Sequence, residues 1–350
     1  FGCTAPTPTR IPITVHPLPV TTITAGPEAT CANGQHTYQT LADPNCIYTW
    51  TINPSTAGLV SSGQGTSNIT INWFNSGNAT LNILGTNTQT SCFTASALPV
   101  TINPAPQPVF TPCFDLKTTP NAKKFTLRGA YPYLASSGSF TGSRVSFNNM
   151  TGQYEFDPQG AGPGAYPIIY TFSNNYGCSV STAPVTINVV NTSFGCGGTL
   201  TDVRDGKTYP TAQIGTQCWM QKNLSYGIVL DPSEIPQTDN CTAEKYILPG
   251  DPNGDRYGGL YQWDELMAYG ATSQNQGLCP PGWHVPSESE WQLLINVISN
   301  GVVPPADGVA GGFLKDTYLS PGFYVLSEGI YYLNNAWSFT TGYLMASMFW

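Results

Sequence analysis

A chain of 350 residues with only 9% charged side chains and a net charge of −8 carries no basic footprint for nucleic acid or for an anionic lipid surface. Its twelve lysines and arginines are scattered, with only Lys123 and Lys124 adjacent, and no apolar run nears the roughly 18 residues of a membrane span. Thr, Ser, Asn, Gly and Pro fill the place of charge, as suits exposed β surfaces and loops, and the length allows two or three domains. Ten cysteines occur with no Cys-x-x-Cys pair, which speaks against a zinc site and for disulfides in an oxidising, extracellular setting. No N-terminal signal is visible, and Phe1 reads as an internal cut.

Repetition organises the first half. Gly2-Cys3 leads to Ile13-Thr-Val-His-Pro17, Ser91-Cys92 to Val100-Thr-Ile-Asn-Pro104, and Gly177-Cys178 to Val185-Thr-Ile-Asn-Val189. Each is a turn with a cysteine, then a final alternating strand, then an exit. Residues 1–17 are thus expected to be the last strand of an upstream repeat, with Cys3 parted from its partner by the cut. Residues 18–104 and 105–191 each hold short strands between Gly/Asn/Ser turns, such as Ile47–Ile52, Ile69–Trp73, Leu81–Leu84 and Ile168–Phe172. About 85 residues with that strand density suits an immunoglobulin-like sandwich. Trp50 is expected as the inward anchor of a central strand, and Trp73 as a second core aromatic.

The composition changes near Thr192, and six of the eight tryptophans lie beyond residue 200. The motifs there are Thr201-Asp-Val-Arg-Asp-Gly-Lys-Thr-Tyr209, Ile214-Gly-Thr-Gln-Cys-Trp-Met-Gln-Lys-Asn-Leu224, Tyr257-Gly-Gly-Leu-Tyr-Gln-Trp263 and the unit Cys279–Trp291. Asp205-Gly206 is a hairpin turn signal, and Tyr257-Gly-Gly predicts a close backbone approach before a short helix. Ser287 followed by Glu290 is a capping box, and Trp291, Leu294, Ile295 and Ile298 recur at helical spacing behind it. One short helix is therefore expected to dock one face on a core.

The two sandwich segments resemble the PKD-like and Ig-like repeats of large secreted adhesins of the Bacteroidetes. The first resembles them through Tyr48-x-Trp50 and Cys92. The second does so through Phe125-Thr-Leu, Gly138-Ser-Phe-x-Gly142, Phe156-x-Pro-x-Gly-Ala-Gly-Pro-Gly-Ala-Tyr166 and Tyr176-Gly-Cys178. Cys113–Cys178 is the expected bridge of the second repeat. Cys92 is expected to pair with Cys31, by repeat analogy, or with Cys46. Residues 192–350, through the order and spacing of their four motifs, resemble the Fibrobacter succinogenes major paralogous (FISUMP) domain, C-terminally incomplete by that pattern. The Trp-x-x-Pro-x-x-x-Glu-Trp start is also similar to the helix start of formylglycine-generating and C-type-lectin-like folds. The implied fold is mostly β: tandem Ig-like/PKD-like β-sandwiches followed by an α+β, C-type-lectin-like domain. Sequence neighbourhood and the family pattern imply Cys196–Cys218 and Cys241–Cys279.

Asp251-x-Asn253-x-Asp255 opens like a calcium loop, where alternate oxygens converge on a hard cation. Arg256 stands where that loop has Gly, and Gln262 where it has a bidentate Glu, so an ordinary turn is the better reading. Calcium from another ligand set stays open in a lectin-like fold, and no other cofactor is expected. His284 has no second histidine in its domain to build a metal site or a nucleophile relay with, and is expected to be a hydrogen-bonded structural residue. Glu288, Glu290, Asp264 and Glu265 could supply a glycosidase pair only at the expense of helix-start duties. No catalytic residue is expected. Tyr257, Tyr261, Trp263 and Trp283 are the aromatic candidates for a ligand platform.

The expectation is a non-enzymatic, extracellular or cell-surface adhesin fragment. Its repeat stalk would present a recognition or assembly module to a glycan or another surface ligand, beside other surface-protein subunits. The resemblance implies export by an outer-membrane type IX secretion translocon and a role in surface attachment or gliding. A carbohydrate-active enzyme with sandwich spacers and a purely structural filament subunit are the alternatives.

Overall fold

The computed structural model describes residues 12–133, 137–192, 194–231, 237–247, 251, 257–270 and 276–298, together with the backbone of 330–333 and 337–340. The chain divides into two compact units, Phe1–Gln107 with Phe172–Val180, and Pro108–Thr171 with Ser181–Trp350.

The first unit is a two-sheet sandwich of eight strands: β1 (Ile23–Ala25), β2 (Ala29–Cys31), β3 (Gln35–Thr40), β4 (Cys46–Asn53), β5 (Gly58–Ser62), β6 (Asn68–Trp73), β7 (Gly77–Asn87) and β8 (Phe93–Asn103). One sheet runs β1-β3-β6-β5 and the other β2-β8-β7-β4. Labelled by sequence order, this is the strand arrangement of the immunoglobulin sandwich, with the early β2 added parallel to the last strand. Period-two alternation supplies the core: Tyr38, Tyr48, Trp50, Ile69, Ile71, Trp73, Leu81, Ile83, Val100 and Ile102 all face inward and are buried. Trp50 donates its indole N–H to Thr66 O (2.9 Å), so its burial leaves no polar orphan. Trp50 is the expected inward anchor, but β4 is an edge strand of its sheet, because β5 crosses to the other one. Tyr38 donates to Pro27 O, and burial pushes its phenol up to about 12.

In the second unit the repeat recurs in looser form. Lys117–Thr118 pairs parallel with the final strand Val185–Val189, which pairs antiparallel with Gly164–Ser173, as β2, β8 and β7 do in the first sandwich. The recurring Val-Thr-Ile-Asn stretch is that final strand both times, which is why the sequence repeats there. Aliphatic core residues are few, and a run of aromatic rings takes their place. Phe110, Phe140 and Tyr170 are linked at 5.1 and 4.8 Å between centroids, and Phe114, Phe125, Phe156 and Tyr166 at 5.5, 5.7 and 5.6 Å.

The remainder of this unit begins with a meander, Thr199–Thr201, Thr208–Ile214 and Gln217–Met220. Asp205-Gly206 lies in its first turn, with Gly206 at φ +78°, as its composition predicts. Two short helices follow, α1 (Trp263–Leu266) and α2 (Glu288–Ile298). The Tyr257-Gly-Gly close approach is real: a Cβ on Gly258 would lie 2.4 Å from Asn223 Cβ, at φ +84°. The predicted helix forms as α2, and its buried Leu294 joins Ile214 and Trp219, with the Trp291 ring tilted against Trp219 at 4.9 Å between centroids.

Three disulfides form among the described residues: Cys31–Cys178, Cys113–Cys241 and Cys196–Cys218, with Cα separations of 5.7, 4.4 and 5.8 Å. Only Cys196–Cys218 is the pairing expected from sequence. Cys113–Cys178 and Cys241–Cys279 are replaced because Cys113 and Cys241 meet each other, leaving Cys279 a buried thiol. Neither Cys31–Cys92 nor Cys46–Cys92 forms. Cys31 takes Cys178, while Cys46 and Cys92 flank Asn87 from the strands on either side of β7, too far apart for the geometry of a bridge.

Candidate functional site

The best-organised polar cluster of the second unit forms where its sandwich meets the motifs beyond residue 200, and Arg204 is its centre. The Arg204 side chain is 2% exposed, and its guanidinium donates to Asp202 (2.9, 3.2 and 2.7 Å), to Asp115 Oδ2 (3.0 Å) and to Leu278 O (2.9 Å). The plane of charge lies 3.7 Å over the Tyr226 ring, and Tyr226 donates its hydroxyl to Asp115 Oδ1 at 2.5 Å. Burial works against the Arg204 charge, but Asp202 and Asp115 outweigh it and hold the guanidinium protonated well above its usual range. Asp202 is fully buried, so this arginine is what allows its charge to stay in the interior.

Two further ties join the same pair of substructures. Cys113 is bonded to Cys241, and Arg128 forms a two-pronged pair with Asp239 (3.2 and 3.1 Å). Between these ties lies a cleft of about 140 Å³, with Asp115 and Arg128 on the sandwich side and Tyr226, Asp239, Glu265 and Tyr269 opposite. Cys241, Ala268 and Tyr269, all on its lining, hold positive φ angles of 68°, 49° and 53°, conformations that non-glycine residues adopt only under constraint.

Glu265 is 2% exposed, and its Oε1 accepts the Glu244 N–H at 2.8 Å. Its Oε2 and the Tyr269 hydroxyl are both buried, and each is the other's polar partner. Burial raises Glu265 above the ordinary carboxylate range; the Glu244 N–H and the Tyr269 hydroxyl offset part of that, while the Glu244 and Asp239 charges add to it. Tyr269 is raised too, first by burial and then by Glu265. Among the described residues no group of three or more His, Cys, Asp or Glu is placed to hold a metal ion.

The carboxylates weighed as a glycosidase pair are separated by their duties. Glu265 lines the cleft floor, Asp264 and Glu288 are exposed at helix starts, and Glu290 closes the capping box by accepting the Ser287 N–H at 2.7 Å. His284 is the hydrogen-bonded residue expected, 2.9 Å from Glu290 Oε1. Among the aromatic candidates, Trp283 is 2% exposed and packs edge-on against Phe194, so it offers no face to a ligand. Tyr257 is buried, and Tyr261, largely covered, donates to Tyr226 O. Trp263 alone stands out into solvent, 65% exposed at the start of α1. Asp251 accepts the Tyr257 N–H at 2.9 Å, while Asn253 and Asp255 lie outside the described residues.

Asp202 and Arg204 belong to the segment Thr201–Tyr209, whose hairpin signal says nothing of the pairing of Arg204 with Asp115. The available signal was scarcity: in a chain with 9% charge, an Asp-x-Arg-Asp cluster is a concentration of charge that needs a reason.

Residues 212–336 match the family model of the Fibrobacter succinogenes major domain. No curated protein matches the chain. Among solved structures, the fibronectin(III)-like modules of Clostridium thermocellum CbhA are 14% identical over 48% of this chain and 93% of that one, with a TM-score of 0.28. The N-terminal eight Ig domains of Down Syndrome Cell Adhesion Molecule are 14% identical over 49% of this chain and 25% of that one, at 0.23. Drosophila N-cadherin EC1-3 is 13% identical over 43% and 57%, at 0.20. At scores this low the likeness adds nothing to the strand topology already described.

Proposed function

We propose that this chain, a series of β-sandwich repeats whose residues 212–336 form a Fibrobacter succinogenes major domain, is a non-enzymatic, extracellular adhesin. The repeats are its stalk, and the C-terminal domain is its recognition or assembly module. The observation that carries the reading is the junction of Cys113–Cys241, Arg204–Asp115 and Arg128–Asp239, which fixes that domain onto the preceding sandwich. A module presented to a surface gains a defined orientation from such fixation. Three disulfides suit an oxidising compartment, and among the described residues no helix is long and apolar enough to cross a membrane. Export by a type IX translocon and a part in surface attachment or gliding belong to the same proposal, on the strength of the sequence resemblance.

The reading is tested by immobilising the chain on a glycan array and on polysaccharide-coated beads, with and without calcium, while assaying released reducing ends. Retention without release is expected. Turnover of any polysaccharide would overturn it in favour of the carbohydrate-active alternative, and failure to adhere to any surface would favour the filament subunit.

A further inference from the structure

We infer that the outer face of the sheet β2-β8-β7-β4 in the first sandwich is a docking surface for a second copy of this chain, the two sheets packing face to face. The contact belongs to the repeats and is independent of what the C-terminal domain recognises.

Charge sets this face apart. Against twelve bases and twenty acids in the whole chain, residues 18–104 hold only Glu28 and Asp43. Glu28 precedes β2, and Asp43 precedes β4, where it accepts the Asn45 N–H at 2.9 Å. Neither lies within a strand of the sheet. The register then assigns the outward residues. Ile47, Thr86 and Phe93 form one row across β4, β7 and β8, and Thr49, Leu84 and Ala95 form the next. The rows beyond them hold only Thr, Asn, Ala and Pro. The alternate residues Tyr48, Trp50 and Ile83 are buried in the core, which fixes these rows on the opposite side of the pleat. Phe93 is 66% exposed, Ile47 53% and Leu84 38%. They surround Thr86 as diagonal neighbours, so the apolar side chains form one cluster on a face without charge.

The same absence of charge selects the occupant. Two copies of a chain with a net charge of −8 repel each other, and the repulsion is least where neither presents an ionised group. A partner chosen by charge finds nothing here to read, whereas an identical face is complementary in polarity row by row. Small Ala and Thr side chains let two sheets approach to the spacing of about 10 Å at which sandwich faces interlock. Area sets the strength. Three strands about 4.8 Å apart, the longer two of 11 residues, cover about 500 Å² on each copy, or roughly 1,000 Å² for the pair. That is the lower end of specific interfaces, so the dimer is reversible, with a Kd of roughly 10 µM to 1 mM.

The test is sedimentation velocity of the full chain from about 1 µM to about 1 mM, with accessible free thiols blocked by iodoacetamide so that any dimer is non-covalent. Association that rises with concentration and is indifferent to salt is expected. Thr49→Lys, which adds a charge, and Leu84→Lys, which also removes an apolar side chain, should each weaken it roughly tenfold or more, because the like charges meet across the contact. Thr37→Lys, on the exposed face of the opposite sheet, should leave it unchanged. Circular dichroism checks that each variant keeps its strands, and should Leu84→Lys fail to fold, Thr49→Lys decides alone. A chain that stays monomeric throughout, or an association that ignores Thr49→Lys or falls equally with Thr37→Lys, overturns the inference. So does a monomer whose retention on polysaccharide beads is lost in Thr49→Lys, since the face would then hold a glycan.

Discussion

Glu290 shows how a short sequence distance becomes a legible structure. It lies three residues after Ser287, and the return of its carboxylate to the Ser287 N–H needs nothing from the rest of the fold. The serine differs in detail from the expected box, since its hydroxyl bonds the Glu290 carboxylate (2.7 Å) and Ser289. Burial alone would raise Glu290, but the Ser287 N–H and hydroxyl, with His284, hold it below the usual glutamate value. A carboxylate lowered in the fold stabilises above its unfolded pKa and loses that contribution as pH falls through the folded one. Glu290→Gln should therefore cost about 1 kcal/mol at pH 7, and the gap to the unmodified chain should close below roughly pH 4.3. Thermal melts of both proteins from pH 7 to pH 3 measure this; a gap that widens on acidification would refute the assignment. Arg204 is the opposite case. Its partner Asp115 lies 89 residues away, so no local pattern announces the pair.

Among elements, strands and the helix were readable because alternation and helical spacing are properties of neighbouring residues. The core residues Tyr48, Trp50, Ile69, Ile71 and Trp73 could be picked out on that ground. Disulfides were readable only where the chain itself brings the cysteines together. Cys196 and Cys218 are 22 residues apart, at the ends of one meander, whereas Cys113 and Cys241 are 128 apart and meet only because two substructures pack. A cross-link closing that long a loop removes about 5 kcal/mol of unfolded-state entropy in the chain-entropy account. Changing Cys113 and Cys241 together to Ser should lower stability by up to that amount. It should also split one cooperative urea transition of residues 108–171 and 181 onward into two, followed by tryptophan fluorescence. An unaltered single transition would mean that the Arg204 cluster suffices to join them.

At the scale of the whole molecule, the mostly β character and the repeat order followed from composition and from the recurring Val-Thr-Ile-Asn strand. The cleft did not, because its lining comes from stretches around residues 115, 128, 239 and 269 that share no motif. The pairing of Cys31 with Cys178 has a mechanical consequence. Tension applied between the two ends of the chain reaches Cys31 and crosses the bond to Cys178, so the intervening sequence, a separation of 147, hangs as a slack loop outside the line of force. The parts of both sandwiches that lie between Cys31 and Cys178 could then unfold without lengthening the tether. Single-molecule pulling should show a contour-length gain of roughly 500 Å or more when a reductant is added, at about 3.3–3.6 Å per released residue. Equal lengths with and without reductant would show that the bond is absent. The reach of the chain under load would be set by sulfur chemistry rather than by the strength of its folds.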